Sequence, residues 1–428
     1  MTDNNKAEIH LDVYSNRSEL HNGSSTTVFM EGKQSEDAIK RAQKIIAAFN
    51  GGFYDKTMSE LQSVIESEEI PTAQSGIIKA LVDGVTSEVG RALVGLTCLQ
   101  LAIKAIEPSQ SIRLHKGGRS DSRFSWQEGI SMRTLDNTYN TPFLREYGLL
   151  KLNKDGIMMT RSLAENYPYS RLYKAEMRGP IKQWIAIVEA VESNALPPYP
   201  ALCLLLSLLK NRSEKFEEKA STAISLAWEH EGNFNAIAKL LIEFFNTTAY
   251  SARAFEVVIH GFMQAYSELH FVDGTLIPLS QMRSANKKHG NVGDIELRQG
   301  NQIIESWDAK YGKPYLRDEI EELNDKLEYH PNVEISGFIV NSDVVRSDEI
   351  IERANEIAII HECEVFLLSF TEWVEMKTSG LERALLDKLG RHWLIAVVES
   401  LGQKRPQIAP IDEPCDAWLD TLNILLNK

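Results

Sequence analysis

Apolar residues recur at helical spacing through most of the first 250 positions. The stretch "SEDAIKRAQKIIAAFNGG" joins a serine N-cap, an apolar stripe and a Gly-Gly stop, which predicts a helix. "TMSELQSVIESEE", "GIIKALVDGVTSEVGRALVGLTCLQLAIKAIE" and "GPIKQWIAIVEAVESN" repeat that pattern, and Pro197, Pro198 and Pro200 then break the chain. "ALCLLLSLLKN", "KFEEKASTAISLAWEHEG" and "FNAIAKLLIEFFN" follow. Residues 1–35 read as a polar, solvated or loosely ordered arm, and residues 36–250 as a mainly helical domain without a fixed-period repeat.

Residues 108–180 depart from that rhythm. They are rich in Gly, Ser, Thr, Asn, Arg and Tyr and carry the aromatics Phe124, Trp126, Tyr139, Phe143, Tyr147, Tyr167, Tyr169 and Tyr173. Such a content of aromatics argues against disorder. Two readings stand: a surface that contacts phosphates and base edges, or an irregular region whose aromatics pack inward.

From about residue 251 the order becomes helix, strand, strand, helix, strand, helix, strand, starting with "SARAFEVVIHGFMQAYSELH", "DIEL" and "IIESWDAK". It continues through "RDEIEELNDKL", "VEISGFIVN", "SDEIIERANEIAIIHEC" and "EVFLLSF", and the tail from Gly380 returns to helix. Strands alternating with helices after a hairpin predict an α/β core with a mixed sheet, here over residues 251–428.

Composition adjusts this picture in three ways. A chain of 428 residues exceeds the usual size of one hydrophobic core, so two domains are expected. No run approaches the length of a membrane span, and the N-terminus lacks the basic and apolar regions of a signal peptide. The cysteines Cys98, Cys203, Cys363 and Cys415 lie far apart, mostly in apolar runs, which fits a reducing cytoplasm and no structural zinc set of cysteines.

The net charge of −14 argues at first against a nucleic-acid partner. The charge is unevenly distributed, however: Arg113 to Lys182 holds 13 Lys+Arg against 7 Asp+Glu. An acidic body with one basic section is compatible with a DNA enzyme that repels DNA except at its cleft. Arg113, Lys116, Arg119, Arg123 and Arg133 are the candidate DNA contacts there. In "RSANKKHGN", Arg283, Lys287, Lys288 and His289 form either a solvated face or, beside a phosphodiester site, a backbone clamp.

The chemistry concentrates in "GDIELRQGNQIIESWDAK". Alternation along a strand projects Asp308 and Lys310 together, and a hairpin brings Asp294 beside Asp308. Two carboxylates at strand ends suit a hard cation such as Mg2+, which would polarise a phosphodiester while Lys310 steadies the attacking water. Glu296 shares a face with Asp294 and is a further candidate ligand. Glu305 points to the opposite face, and His260, on an apolar helix, reads as a packed residue before a ligand. There is no P-loop, G-x-S-x-G or H-E-x-x-H pattern.

In this order of elements, with Asp294 followed by Asp308-x-Lys310, the chain resembles the PD-(D/E)xK nuclease superfamily, although Gly293 stands where proline is usual. "SARAFEVVIH", "GDIEL" and "WDAKYGKPYLRDE" look most similar to type II restriction endonucleases of the SacI-like branch. The motif likeness covers roughly residues 251–375. It implies a restriction-endonuclease-like catalytic core behind the helical domain, Mg2+ on Asp294 and Asp308, and a further carboxylate from the preceding helix, Glu256 or, behind it, Glu268. It also implies double-stranded DNA as substrate and a cognate DNA methyltransferase in the same system. A twofold homodimer would match a palindromic site. The alternatives are a repair or mobile-element nuclease on the same core, and a catalytically silent DNA-binding or interaction protein.

Overall fold

The computed structural model describes residues 9–67, 70–85, 88–117, 124–159, 161–177, 179–279, 290–402 and 415–428. The protein is mixed α/β and divides into two compact units, Met1–Glu214 and Lys215–Lys428. Among the described residues no helix is long and apolar enough to cross a membrane.

The first unit begins with strands β1 (Ile9–Val13), β2 (Arg17–Asn22) and β3 (Ser25–Met30), which form an antiparallel sheet where the sequence suggested a loose arm. Asn22 pairs with Ser25 across a two-residue turn, Gly23-Ser24, whose Gly23 takes φ 62°, the glycine-first hairpin turn. The strands read as polar because only one face is covered: Leu20 and Phe29 pack with Leu114 and Trp126, and Ile9 and Leu11 lie against them. The bonds Gly32 N to Ser125 O and Gln127 N to Met30 O fasten the sheet to the segment around Trp126.

Four longer helices follow, α1 (Glu36–Asn50), α2 (Phe53–Ser67), α3 (Thr72–Asp83) and α4 (Glu88–Ile106). The expected single stretch from Gly76 is split at Gly84, where a Cβ would lie 2.5 Å from Pro180. α4 buries most of its faces and forms the centre of the core, with Leu93, Leu96, Leu99 and Leu101 fully buried. Two short helices, α5 (Met132–Leu135) and α6 (Thr141–Glu146), precede α7 (Ile181–Glu192). α8 (Pro198–Glu229) contains the division between the units. Pro198 opens α8, a position where its missing N–H costs nothing, and the two helices expected after the prolines run together as one.

The irregular section between α4 and α7 is organised by one buried carboxylate. Asp136 Oδ1 accepts from Thr141 Oγ1 (2.8 Å) and Asn140 Nδ2 (3.1 Å), and Oδ2 from the N–H groups of Ile157 (2.6 Å) and Met158 (3.3 Å). Gly156 is held at φ 85°, and a Cβ there would lie 2.7 Å from the same carboxylate. Trp126, Phe143, Tyr169 and Tyr173 are buried, so the inward-packing reading holds for these aromatics, whereas Tyr147 is exposed.

The second unit contains α9 (Phe234–Thr247) and α10 (Ser251–Glu268), then a five-stranded mixed sheet of β4 (Thr275–Leu276), β5 (Ile295–Gln299), β6 (Gln302–Lys310), β7 (Ile335–Val340) and β8 (Glu364–Ser369) in sequential order. β4, β5 and β6 pair antiparallel, while β6, β7 and β8 are parallel. The crossovers carry α11 (Arg317–Leu327) and α12 (Asp348–His361), whose Ile320, Leu323, Ile350 and Ile357 pack on Phe338 and Val340. On the other face Trp307 packs with Phe255 and Phe262 of α10, Trp373 of α13 (Phe370–Thr378) and Trp393 of α14 (Arg383–Leu401), and α15 (Cys415–Leu426) closes this core. The unit starts before the expected boundary at 250, because α9 buries Phe234, Leu241 and Phe244 in this same core.

Replacing Asp136 by alanine leaves two buried N–H groups and two side chains without their acceptor. The full chain is expected to lose about 3 kcal/mol of stability, measured by urea unfolding followed through tryptophan fluorescence.

Candidate active site

The β5–β6 hairpin sets the first three side chains. Asp294 lies one residue before β5, and its N–H donates to Trp307 O (2.9 Å) while Ala309 N donates back to Asp294 Oδ2 (3.1 Å). With Ile295 paired to Trp307, this places Asp294 across from Asp308. Lys310, two residues along the same strand face, puts Nζ 2.9 Å from Asp308 Oδ1. Both side chains are largely covered, 19% exposed for Lys310 and 11% for Asp308.

The approach of the two strands also accounts for Gly293. A Cβ at this position would lie 2.6 Å from both Ser306 Oγ and Trp307 O, so the backbone path that brings Asp294 beside β6 excludes the proline of the resembled motif.

α10 delivers the fourth group. Glu256 makes an ion pair with buried Arg253, one turn earlier on the helix. Burial raises the Glu256 carboxyl, Arg253 opposes that, and Asp308 adds to it. Asp294 is pushed well above the ordinary carboxylate value by burial, then by Asp308 and Glu256. Burial pulls the Lys310 ammonium down, but Asp308, Asp294 and Glu319 outweigh it, so its pKa is raised and it is held as a cation. Three carboxylates and one ammonium therefore share a single electrostatic environment. Oxygen donors concentrated in this way are the set a hard divalent cation takes, and the side chains present fit one.

The remaining candidates are engaged elsewhere. Glu296 Oε1 accepts from Val292 N (2.7 Å) and Oε2 from Arg298 (3.1 Å). Glu305 binds Lys377 (2.5 Å) and the Trp307 indole. His260 Nε2 lies 2.7 Å from Ile277 O, and burial pushes the ring down to about 4, so it is a packed neutral residue. Glu268 is three turns from Glu256 on α10, bonded to Gln264 (2.9 Å).

In the first unit, Arg113 donates to Tyr169 O (2.6 Å), Lys116 binds Asn166, and Arg133 donates to Met158 O (2.9 Å). Each of these three cations is thus bonded within its own unit. Arg119, Arg123, Arg283, Lys287, Lys288 and His289 lie outside the described residues. The residue that sequence reasoning missed is Arg253. Its signal is an arginine three positions before Glu256 in an otherwise apolar helix.

No family model matches the chain, and no curated protein matches it.

Asp294 yields a test with a defined sign. Its folded carboxyl titrates above its unfolded value, so wild type carries a penalty that is absent below the unfolded value and full above the folded one. Asp294→Asn keeps an acceptor for Ala309 N and removes the charge. Near neutral pH the variant is expected to melt about 2–4 °C higher than wild type, and the gain to shrink toward about pH 4. Thermal melts across pH measure both.

Proposed function

We propose that the protein is a magnesium-dependent, sequence-specific endodeoxyribonuclease of the PD-(D/E)xK type, acting as a type II restriction enzyme on double-stranded DNA. The observation that carries this reading is the convergence of Glu256, Asp294, Asp308 and Lys310 at the neighbouring ends of β5 and β6. It is supported by the order of the elements around them: a helix, an antiparallel hairpin, then two parallel strands reached through helices.

Asp294 and Asp308 would hold Mg2+, with Glu256 as the third carboxylate. The cation supplies positive charge that polarises a phosphodiester and favours ionised water. The chain's own groups do the rest. The Ala309 N–H and the pairing of β5 with β6 hold Asp294 in place, so the donor set is formed before substrate arrives. Arg253 pairs with Glu256 and opposes the rise that burial imposes on its carboxyl. Lys310, kept protonated by Asp308, offers N–H donors to a phosphate oxygen or to the attacking water and stabilises the charge that develops on phosphorus.

In this reading the basic section of the first unit contributes to DNA recognition, two chains pair for a palindromic target, and a partner methyltransferase protects host sites. Phage-lambda DNA incubated with the purified chain is expected to give discrete bands with magnesium and none with EDTA. Asp308→Ala is expected to lower the cleavage rate on the order of 10³-fold while filter binding persists. A magnesium-dependent smear would point to the repair or mobile-element nuclease instead. Intact DNA in every lane, beside an active control enzyme, would sink the nuclease reading.

A further inference from the structure

The open face of the N-terminal sheet gathers a second set of ligating atoms, unrelated to the nuclease reading. His10 pairs with His21 and Asp12 with Glu19 across β1 and β2, so all four side chains stand on the face opposite Leu20 and Phe29. The two imidazole rings stack, 4.3 Å apart and 13° from parallel. Asp12 Oδ2 lies 3.3 Å from His21 Nε2 and 3.7 Å from His10 Nε2, and Glu19 Oε2 lies 3.8 Å from His21 Nε2. One ligating atom each from His10, Asp12 and His21 falls within 4.8 Å of the others.

A detail of His21 separates this group from an ordinary surface salt bridge. Its Nδ1 is 2.9 Å from Thr26 Oγ1 on β3, whereas Nε2 is closed off from solvent and has no hydrogen-bond partner. When Nδ1 carries the proton and donates to Thr26, the Nε2 lone pair faces two carboxylate oxygens. In that tautomer a cation between the ring and the carboxylates is favourable, whereas the other tautomer places an N–H there. An imidazole whose far nitrogen is hydrogen-bonded is also how metal-ligating histidines are normally oriented.

We propose that His10, Asp12 and His21 bind one zinc ion, with the fourth position filled by Glu19 Oε2, the oxygen of Glu19 not held by Arg17. Two imidazoles and carboxylate oxygen suit a borderline first-row cation better than magnesium. Ligand atoms of a tetrahedral zinc site stand roughly 3.3 Å apart, so small side-chain rotations close the cluster. The ion joins β1, the edge strand beside β2, to the rest of the sheet.

The test is a calorimetric zinc titration of the full chain, stripped with chelator and carrying Asp294→Asn and Asp308→Asn so that the acidic site of the second unit does not compete. One equivalent of zinc is expected, undisturbed by millimolar magnesium, with Co2+ giving the visible absorption of a tetrahedral site. His10→Ala alters an exposed side chain and is expected to weaken zinc at least about tenfold, and Thr26→Val by about tenfold through loss of the orienting bond. No zinc uptake, or uptake unchanged by His10→Ala, would overturn the proposal and leave the histidines as proton-bearing partners of Asp12.

Discussion

Like-charge crowding at the ends of β5 and β6 is the constraint around which the second unit is arranged. Burying Asp294 beside Asp308 and Glu256 is unfavourable, and the fold offsets it only partly, through Lys310, Arg253 and one backbone N–H. The rest of the architecture serves to hold the groups in that position. The apolar packing of α10, α13 and α14 on Trp307 fixes one side of the strand that carries Asp308 and Lys310, and α11 and α12 fix the other. Repulsion among buried carboxylates is relieved by any positive charge placed among them, which is how a rigid frame can convert instability into affinity for a cation.

Much of this was legible in the sequence where local rules dominate. Strand alternation alone put Asp308 and Lys310 on one face, and the helix–hairpin–helix–strand order anticipated a mixed sheet, though it left out the two-residue strand β4 beside β5. Between "DIEL" and "IIESWDAK" the strands run further than those stretches suggest, because Gln299 and Gln302 still pair and Gly300 and Asn301 form the bend. Glu256 was reachable only through the family resemblance. What α10 presents to β6 depends on tertiary packing that periodicity does not encode.

The misjudged regions have physical reasons as well. The N-terminal sheet was read as an arm because a sheet covered on one face needs few apolar residues, here Leu20 and Phe29 on β2 and β3, and a Gly-Ser turn between polar strands carries little weight beside helical stripes. The section around Asp136 has no periodicity because it is ordered by a buried carboxylate rather than by an apolar stripe, and such hubs leave no regular trace. Helix α9 was assigned to the wrong neighbour, since an amphipathic helix announces that it has a partner but not which one.

The bend at Gly300 and Asn301 lies at the opposite end of the β5–β6 ribbon from Asp294 and Asp308, separated by the length of β5, roughly 16 Å at the usual rise per residue. Gly300 is exposed, and a side chain there would meet nothing within 4 Å. The ribbon therefore separates its tip from its base: Gly300 keeps its glycine because its φ of 62° disfavours a side chain, while exposed Asn301 is the position where a label would stand far from the two aspartates.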